Sequence, residues 1–399
     1  MSVTNLRGRV AALGGVIVLL LVAGVWIAMT HASAQSSANG KNDSPVAHSS
    51  TSPAVPLQVG SETPASGATG VNGAADITIT FSTPLATTSP LPTITPDVQG
   101  SWQGAGTDTL QFVPAAGFSP STQVTVQIPG GEQGVRSAEG SLLSSAAQVS
   151  FQTGTYQAGR LDELLAQLGY LPLTWTAAPG ATVPAPTDAA GQIAAAYSAP
   201  PGAWNWEPGY PSELQNFWDG GAANGLIVQG AVMAFESNQG LAMDGIAGPQ
   251  VWTALFKAVA DGQNNPNGYT YAIAAENNPE TLTIWHNGQQ VLQFFANTGI
   301  EAAPTTIGTA PVYLRYRNQI MKGTNPDGTK YADPVQFVAY FRSGEAVHYF
   351  PRGSYGYPQS LGCVELDLND AAQAWPYLTF GSLVTVEAGS LTPPGSPTA

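Results

Sequence analysis

Cys363 is the only cysteine of the chain, and His348 stands fifteen positions before it, near the end of the strand-like run Ala346-Val347-His348-Tyr349-Phe350. A loop rich in glycine and proline joins them (Pro351, Gly353, Gly356, Pro358, Gly362). A thiol attacks as the thiolate, so it needs a base to take its proton and N–H donors to hold the oxyanion it creates. Gly362, directly before the cysteine, has no side chain to keep backbone N–H groups away from a substrate. Such a pair could carry acyl transfer at a carbonyl. By spacing alone the evidence is weak, because an isolated cysteine is more often a small buried hydrophobe than a nucleophile.

The neighbouring residues sharpen the reading. His348 followed by Ser360-Leu361-Gly362-Cys363-Val364 resembles the signature of the L,D-transpeptidases, the YkuD-like catalytic domain. There a histidine precedes Ser/Thr-His-Gly-Cys, then Val or Ile, then Arg or Asn. The run 281–314, TLTIWHNGQQVLQFFANTGIEAAPTTIGTAPVYL, resembles the opening strands and substrate-side turn of that family in variant form. The resemblance implies Cys363 as nucleophile, His348 as general base, and Ser360 and Gly362 as the motif positions flanking the nucleophile. It also implies an oxyanion hole from the N–H groups of Gly362 and Cys363, and a backbone carbonyl near Tyr349 holding the other histidine nitrogen. Two positions depart from the pattern. Leu361 replaces a second histidine, and Glu365 replaces the usual arginine. Arg352 or Arg342 could supply the compensating charge. Six of the twelve basic residues fall within 315–352, and arginines there could hold stem-peptide carboxylates bidentately.

The implied reaction is attack of Cys363 on the carbonyl of the third-position diamino acid of a peptidoglycan tetrapeptide stem, with loss of the terminal D-alanine. Transfer to an amine of a neighbouring stem gives a 3→3 cross-link, and transfer to water makes the enzyme an L,D-carboxypeptidase. Carbapenem-type inhibitors are expected to acylate the same thiol. No cofactor or metal is expected, since the four histidines are scattered without ligand spacing. A papain-like hydrolase of wall peptides is a rival, although its cysteine normally precedes its histidine. A decayed wall-binding module, with Glu365 as the lesion, is another.

The elements that must position these residues form a multidomain, mainly β chain. Of its 399 residues 43% are hydrophobic, enough for real cores, while only 10% are charged. The net charge of -14 argues against nucleic acid, whose phosphates need a basic surface. A single cysteine permits no intramolecular disulfide. Residues 10–29 are apolar and uncharged, long enough to cross a ~30 Å hydrocarbon layer. Arg7 and Arg9 precede them and predict a cytoplasmic N-terminus. Residues 1–34 are therefore expected to be a membrane anchor or signal peptide, with Ala32-Ser33-Ala34 as a potential cleavage site, and the rest to lie outside the cytoplasm. A flexible linker is expected at 35–56 and a disordered tail at 391–399.

Alternating runs at 76–81, 109–114, 123–128 and 148–153 predict a β-sandwich over 57–154, which resembles bacterial Ig-like domains and reads as a spacer. Helical periodicity then takes over at 155–265. Leu161, Leu164, Leu165 and Leu168 make an i, i+3, i+4, i+7 stripe ending at Gly169, and Pro249 stands at a first helical position. With LLAQLGYLP and GAVMAFESNQGLAMDGIAGPQVWTAL, this segment resembles a small α-helical peptidoglycan-binding domain. Its Pro/Ala-rich stretch 174–203 reads as an inserted loop, and Trp204, Trp206 and Trp218 read as core aromatics more readily than as sugar platforms. Strand periodicity returns over 266–390, the mixed β catalytic domain. His286-Asn287-Gly288 there reads as a hairpin turn with His286 exposed, and Asp367 or Asn369 as a helix cap.

Overall fold

The computed structural model describes residues 56–221 and 225–389. The expected membrane segment, all of the linker before Pro56, and the C-terminal tail lie outside the described residues. Among the described residues no helix is long and apolar enough to cross a membrane.

The first domain is built from β1 (Val59–Thr63), β2 (Ile77–Phe81), β3 (Thr93–Thr95), β4 (Gly100–Gln103), β5 (Thr109–Pro114), β6 (Gln123–Ile128) and β7 (Ala147–Gln152). They form two antiparallel sheets, ordered β1-β2-β5-β4 and β3-β6-β7. Alternation decides which side chains face inward: Ile77, Ile79 and Phe81 are buried while Thr78 and Thr80 are not. They meet Val124, Val126, Val149 and Phe151 of the second sheet in one core.

The helical segment runs α1 (Ala158–Gln167), β8 (Leu173–Ala177), α2 (Ala189–Tyr197), β9 (Gly202–Trp206), a 3₁₀ turn, α3 (Leu226–Gln239) and α4 (Pro249–Asp261). All four leucines of the predicted stripe are buried. Gly240 and Gly262 end α3 and α4 in left-handed conformation, where a side chain would be strained. The stretch expected as a loop is structured instead. Trp175 stands opposite Trp204 in the β8–β9 hairpin, and Asp188 caps α2 by accepting from the Gly191 N–H at 3.0 Å. Pro and Ala content hid the cross-strand pair and the cap. α2 also fastens the segment to the sandwich: the Tyr197 hydroxyl donates to the Phe118 carbonyl at 3.0 Å.

The last part comprises β10 (Thr270–Ala275), β11 (Thr281–His286), β12 (Gln289–Phe295), β13 (Gly308–Pro311), β14 (Leu314–Thr324), β15 (Lys330–Arg342), β16 (Glu345–Tyr349), β17 (Val364–Leu366), α5 (Leu368–Ala374) and β18 (Leu383–Glu387). Its two sheets are ordered β12-β11-β10-β18-β13 and β14-β15-β16-β17. β10 is buried on both faces, and its alternation shows why. Ala272 and Ala274 face a core shared with Val347, Val364 and Leu366 of the second sheet. Tyr271 and Ile273 face the opposite way, into the core of the helical segment with Leu161, Val228 and Phe235. Asn287 and Gly288 both take positive φ, 48° and 73°, as a two-residue hairpin turn demands. His286 is half-buried rather than exposed, because its Nδ1 lies 3.0 Å from the Thr270 hydroxyl and its ring meets Tyr377 edge-on. Asp367 is the α5 cap, accepting from the Asp370 N–H at 2.9 Å.

Candidate active site

β16 and β17 run parallel, with Val347 beside Val364 and His348 beside Glu365. Side chains alternate along a strand, so His348, Glu365 and the preceding Cys363 emerge on one face. All three line a cavity of about 390 Å³.

The loop leading to Cys363 is templated by residues 296–300. Asn297 and Glu365 exchange backbone hydrogen bonds at 3.0 and 2.9 Å. The Asn297 side-chain oxygen accepts from the Gly356 N–H at 3.0 Å, and the Thr298 carbonyl accepts from the N–H groups of Gln359 and Ser360. Thr298 is itself held by buried Glu280, which accepts from its N–H and its hydroxyl. Ser360 is fully buried beneath the final turn. Its hydroxyl donates to the Cys363 carbonyl at 2.6 Å and accepts from the Gly362 N–H at 3.1 Å. Gly362 sits at φ 110°, a conformation glycine adopts without strain. Its N–H is thus engaged within the turn, which corrects the expectation that it shares the oxyanion hole.

His348 is buried, and its Nδ1 lies 2.9 Å from the Tyr349 carbonyl. A carbonyl only accepts, so Nδ1 carries the hydrogen and Nε2 keeps the lone pair. Burial lowers the imidazole's proton affinity, opposed by that hydrogen bond and the Glu365 charge, with Arg352 acting in the same direction as burial. The Cys363 sulfur lies 3.7 Å from the Gly344 carbonyl. Burial pushes the thiol up to about 12, and the carboxylates of Glu365 and Glu345 add to the rise. Both shifts favour the neutral forms, a thiol and an imidazole.

Glu365 is held by Arg352 through two donors, Nε at 2.7 Å and Nη2 at 2.8 Å, and Nη2 also reaches the Gln359 carbonyl at 2.9 Å. Arg352 borders the cavity, but this pairing occupies much of its donor capacity and corrects the expectation of a guanidinium kept for substrate. Arg342 is not among the residues lining the cavity; its Nε is 3.9 Å from Glu345, which accepts from Thr306. Cys363, His348 and Arg352 are brought together, Ser360 and Gly362 shape the turn beneath them, and Arg342 stands apart.

The β14–β15 hairpin supplies the wall opposite the cysteine, a contribution the sequence analysis missed. Gln319, Met321, Tyr331, Asp333, Val335 and Tyr340 face the cavity. Met321 pairs with Asp333 and Gln319 with Val335, so one face of the ribbon points inward. Burial raises the Tyr331 phenol, with Cys363 and Asp333 adding to the shift. The alternation Tyr331-Ala332-Asp333-Pro334-Val335 was the available signal. Among the described residues no group of three or more His, Cys, Asp or Glu side chains could hold a metal ion.

Residues 270–386 match the family model of the L,D-transpeptidase catalytic domain, and residues 53–153 match that of the bacterial Ig-like domain. No curated protein matches the chain. Among solved structures the chain is similar to an L,D-transpeptidase from Mycobacterium smegmatis, at 14% identity over 84% of this chain and 100% of that one, TM-score 0.28. It is similar to L,D-transpeptidase 3 from Mycobacterium tuberculosis at 16% identity, over 82% and 98%, TM-score 0.27. The catalytic domain of the E. faecium L,D-transpeptidase aligns at 24% identity over 29% of this chain and 95% of that one, TM-score 0.28.

Proposed function

We propose that this chain, whose residues 270–386 match the L,D-transpeptidase catalytic domain, uses Cys363 to form 3→3 peptidoglycan cross-links through an acyl-enzyme. The observation that carries the reading is the placement in one cavity of Cys363, directly before β17, and of His348, on the parallel neighbour β16, with Nδ1 of the histidine tied to the Tyr349 carbonyl. Nε2 takes the thiol proton as the sulfur attacks the stem carbonyl, and delivers it to the departing D-alanine amine. The Cys363 N–H stabilises the oxyanion, since that of Gly362 is engaged by Ser360. An incoming amine reverses these steps, and water in its place gives the carboxypeptidase reaction. The helical segment binds the wall glycan, the Ig-like domain is the spacer, and residues 1–34 anchor the enzyme in the membrane or direct its secretion to the wall. The sequence motifs support these three roles.

Intact-mass measurement after incubation with a carbapenem tests the chemistry. Wild type should gain one inhibitor mass and Cys363→Ala none. An adduct that persists in Cys363→Ala would rule out the assignment. Co-sedimentation of the full chain with purified sacculi tests wall binding, and a protein that stays in the supernatant speaks against it.

A further inference from the structure

The cavity is lined by two cations, Lys322 and Arg352, and two carboxylates, Glu365 and Asp333. Arg352 and Glu365 are consumed by each other at 2.7 and 2.8 Å. Lys322 borders the cavity but is exposed and makes no ion pair among the described residues. Asp333 is half-buried on the inward face and takes part in no ion pair among the described residues. It feels Arg352 at longer range, but that guanidinium is already bridged by Glu365. The ribbon thus presents to the cavity one carboxylate that belongs to no ion pair, among charged side chains that otherwise include Arg315, Arg317, Lys322 and Lys330.

We propose that Asp333 is the acceptor-binding residue of this site, pairing with the nitrogen of an incoming amine and favouring transfer over hydrolysis. This rests on the acyl-enzyme reading above. The acceptor first sheds one proton to solvent and becomes a neutral amine. Its nitrogen then bonds to the acyl carbon and gains positive charge, and a carboxylate accepting one of its N–H groups is better paired at that moment than before. As the C–S bond breaks, the surplus proton passes through Nε2 of His348 to the Cys363 sulfur, which restores the resting thiol and imidazole. Water attacking the same carbon loses its proton to His348 without forming a cation, so it draws no such benefit from Asp333. The acceptor class that fits is a primary amine, and a charge-assisted hydrogen bond to it corresponds to roughly a tenfold preference.

The test uses the full chain, a tetrapeptide stem as donor, and glycinamide or methanol as added acceptor. Mass spectrometry first establishes that wild type forms the acyl-enzyme; if it does not, the functional reading fails and the proposal with it. Asp333→Asn should then lower the ratio of glycinamide transfer to hydrolysis about tenfold, while Asp333→Glu should recover part of it. The methanol-to-water ratio should stay within about twofold of wild type, because an oxygen nucleophile hands its proton to His348 as it attacks and carries no lasting positive charge. An unchanged glycinamide ratio would overturn the assignment, as would an equal fall for glycinamide and methanol, which marks a merely structural role.

Discussion

Arg352 grips Glu365 with Nε and Nη2 while Glu365 lies in register beside His348, so an ion pair lines the cavity next to that histidine. The Glu365 side chain is 6% exposed and that of Arg352 27%, which leaves the pair largely shielded from water. The carboxylate at position 365 is thus matched by a guanidinium from the preceding loop. Through its contact with the Gln359 carbonyl, the same arginine ties that loop to the strand carrying Glu365.

Reversing one member should therefore do more harm than neutralising it. Glu365→Arg puts two guanidinium groups face to face, and breaking a buried pair costs about 3–5 kcal/mol, reduced here by the exposure of Arg352. We expect a lower melting temperature and slower carbapenem acylation for Glu365→Arg, a milder loss for Glu365→Gln, and partial recovery in the Arg352→Glu/Glu365→Arg double variant. A Glu365→Arg protein that reacts faster than wild type would mark the site as decayed.

The pH dependence of acylation should report the resting neutral pair. Burial lowers His348 from its usual 6.5, so the base is lost to protonation only as pH falls below that value. Burial raises the thiol to about 12, so no thiolate limb should appear near 8.5, where an ordinary cysteine titrates. A stopped-flow profile should rise below pH 6.5 and stay level to about pH 10. An ascending limb centred on 8.5 would show instead that free thiolate is the reacting form. His348→Gln should slow the plateau about a hundredfold or more, with His286→Ala close to wild type.

Those residues were legible in the sequence because their signal is local. His348 and Cys363 lie at the two ends of one loop, the Asn287-Gly288 turn is a dipeptide signal, and the leucine stripe of α1 spans eight residues. Residues working through register were not legible. Asn297 reaches the loop before Cys363 from nearly seventy positions upstream by exchanging backbone hydrogen bonds with Glu365. Asp333 meets the cavity only because Met321 is its partner across the hairpin. The β8–β9 hairpin was hidden in the same way, since Trp175 and Trp204 are separated by a proline-rich stretch.

Asn297 makes that dependence testable. It is fully buried, and its side-chain oxygen accepts the Gly356 N–H. Asn297→Ala removes one of the two acceptors of that N–H, the other being the Ala296 carbonyl at 3.0 Å, a cost of about 0.5–1.5 kcal/mol. It should also loosen the loop that aims Cys363. We expect a lower melting temperature together with slower acylation, and amide exchange faster at residues 356–362 than in the sandwich. Uniform loss of protection across the whole chain would contradict a local clamp.

The helical segment and the catalytic sheet should likewise stand or fall together. Tyr271, Ile273 and Leu383 of the sheet share one core with α1, α3 and α4. Gly230 of α3 lies against Gly381, where a Cβ on Gly230 would come 2.5 Å from the Gly381 carbonyl oxygen. Backbone on that side cannot swing away as a flexible side chain would, and Gly381 is itself held at φ 81°. Gly230→Ala must therefore push α3 off the sheet, at about 1–3 kcal/mol for overpacking. We expect a melting temperature several degrees lower for Gly230→Ala, with faster amide exchange in both α3 and β18. The catalytic domain expressed without residues 155–265 should aggregate, because it would expose the apolar face that β10 turns toward the helices. A monomeric, stable truncation that retains full carbapenem acylation would show that the two parts are independent modules.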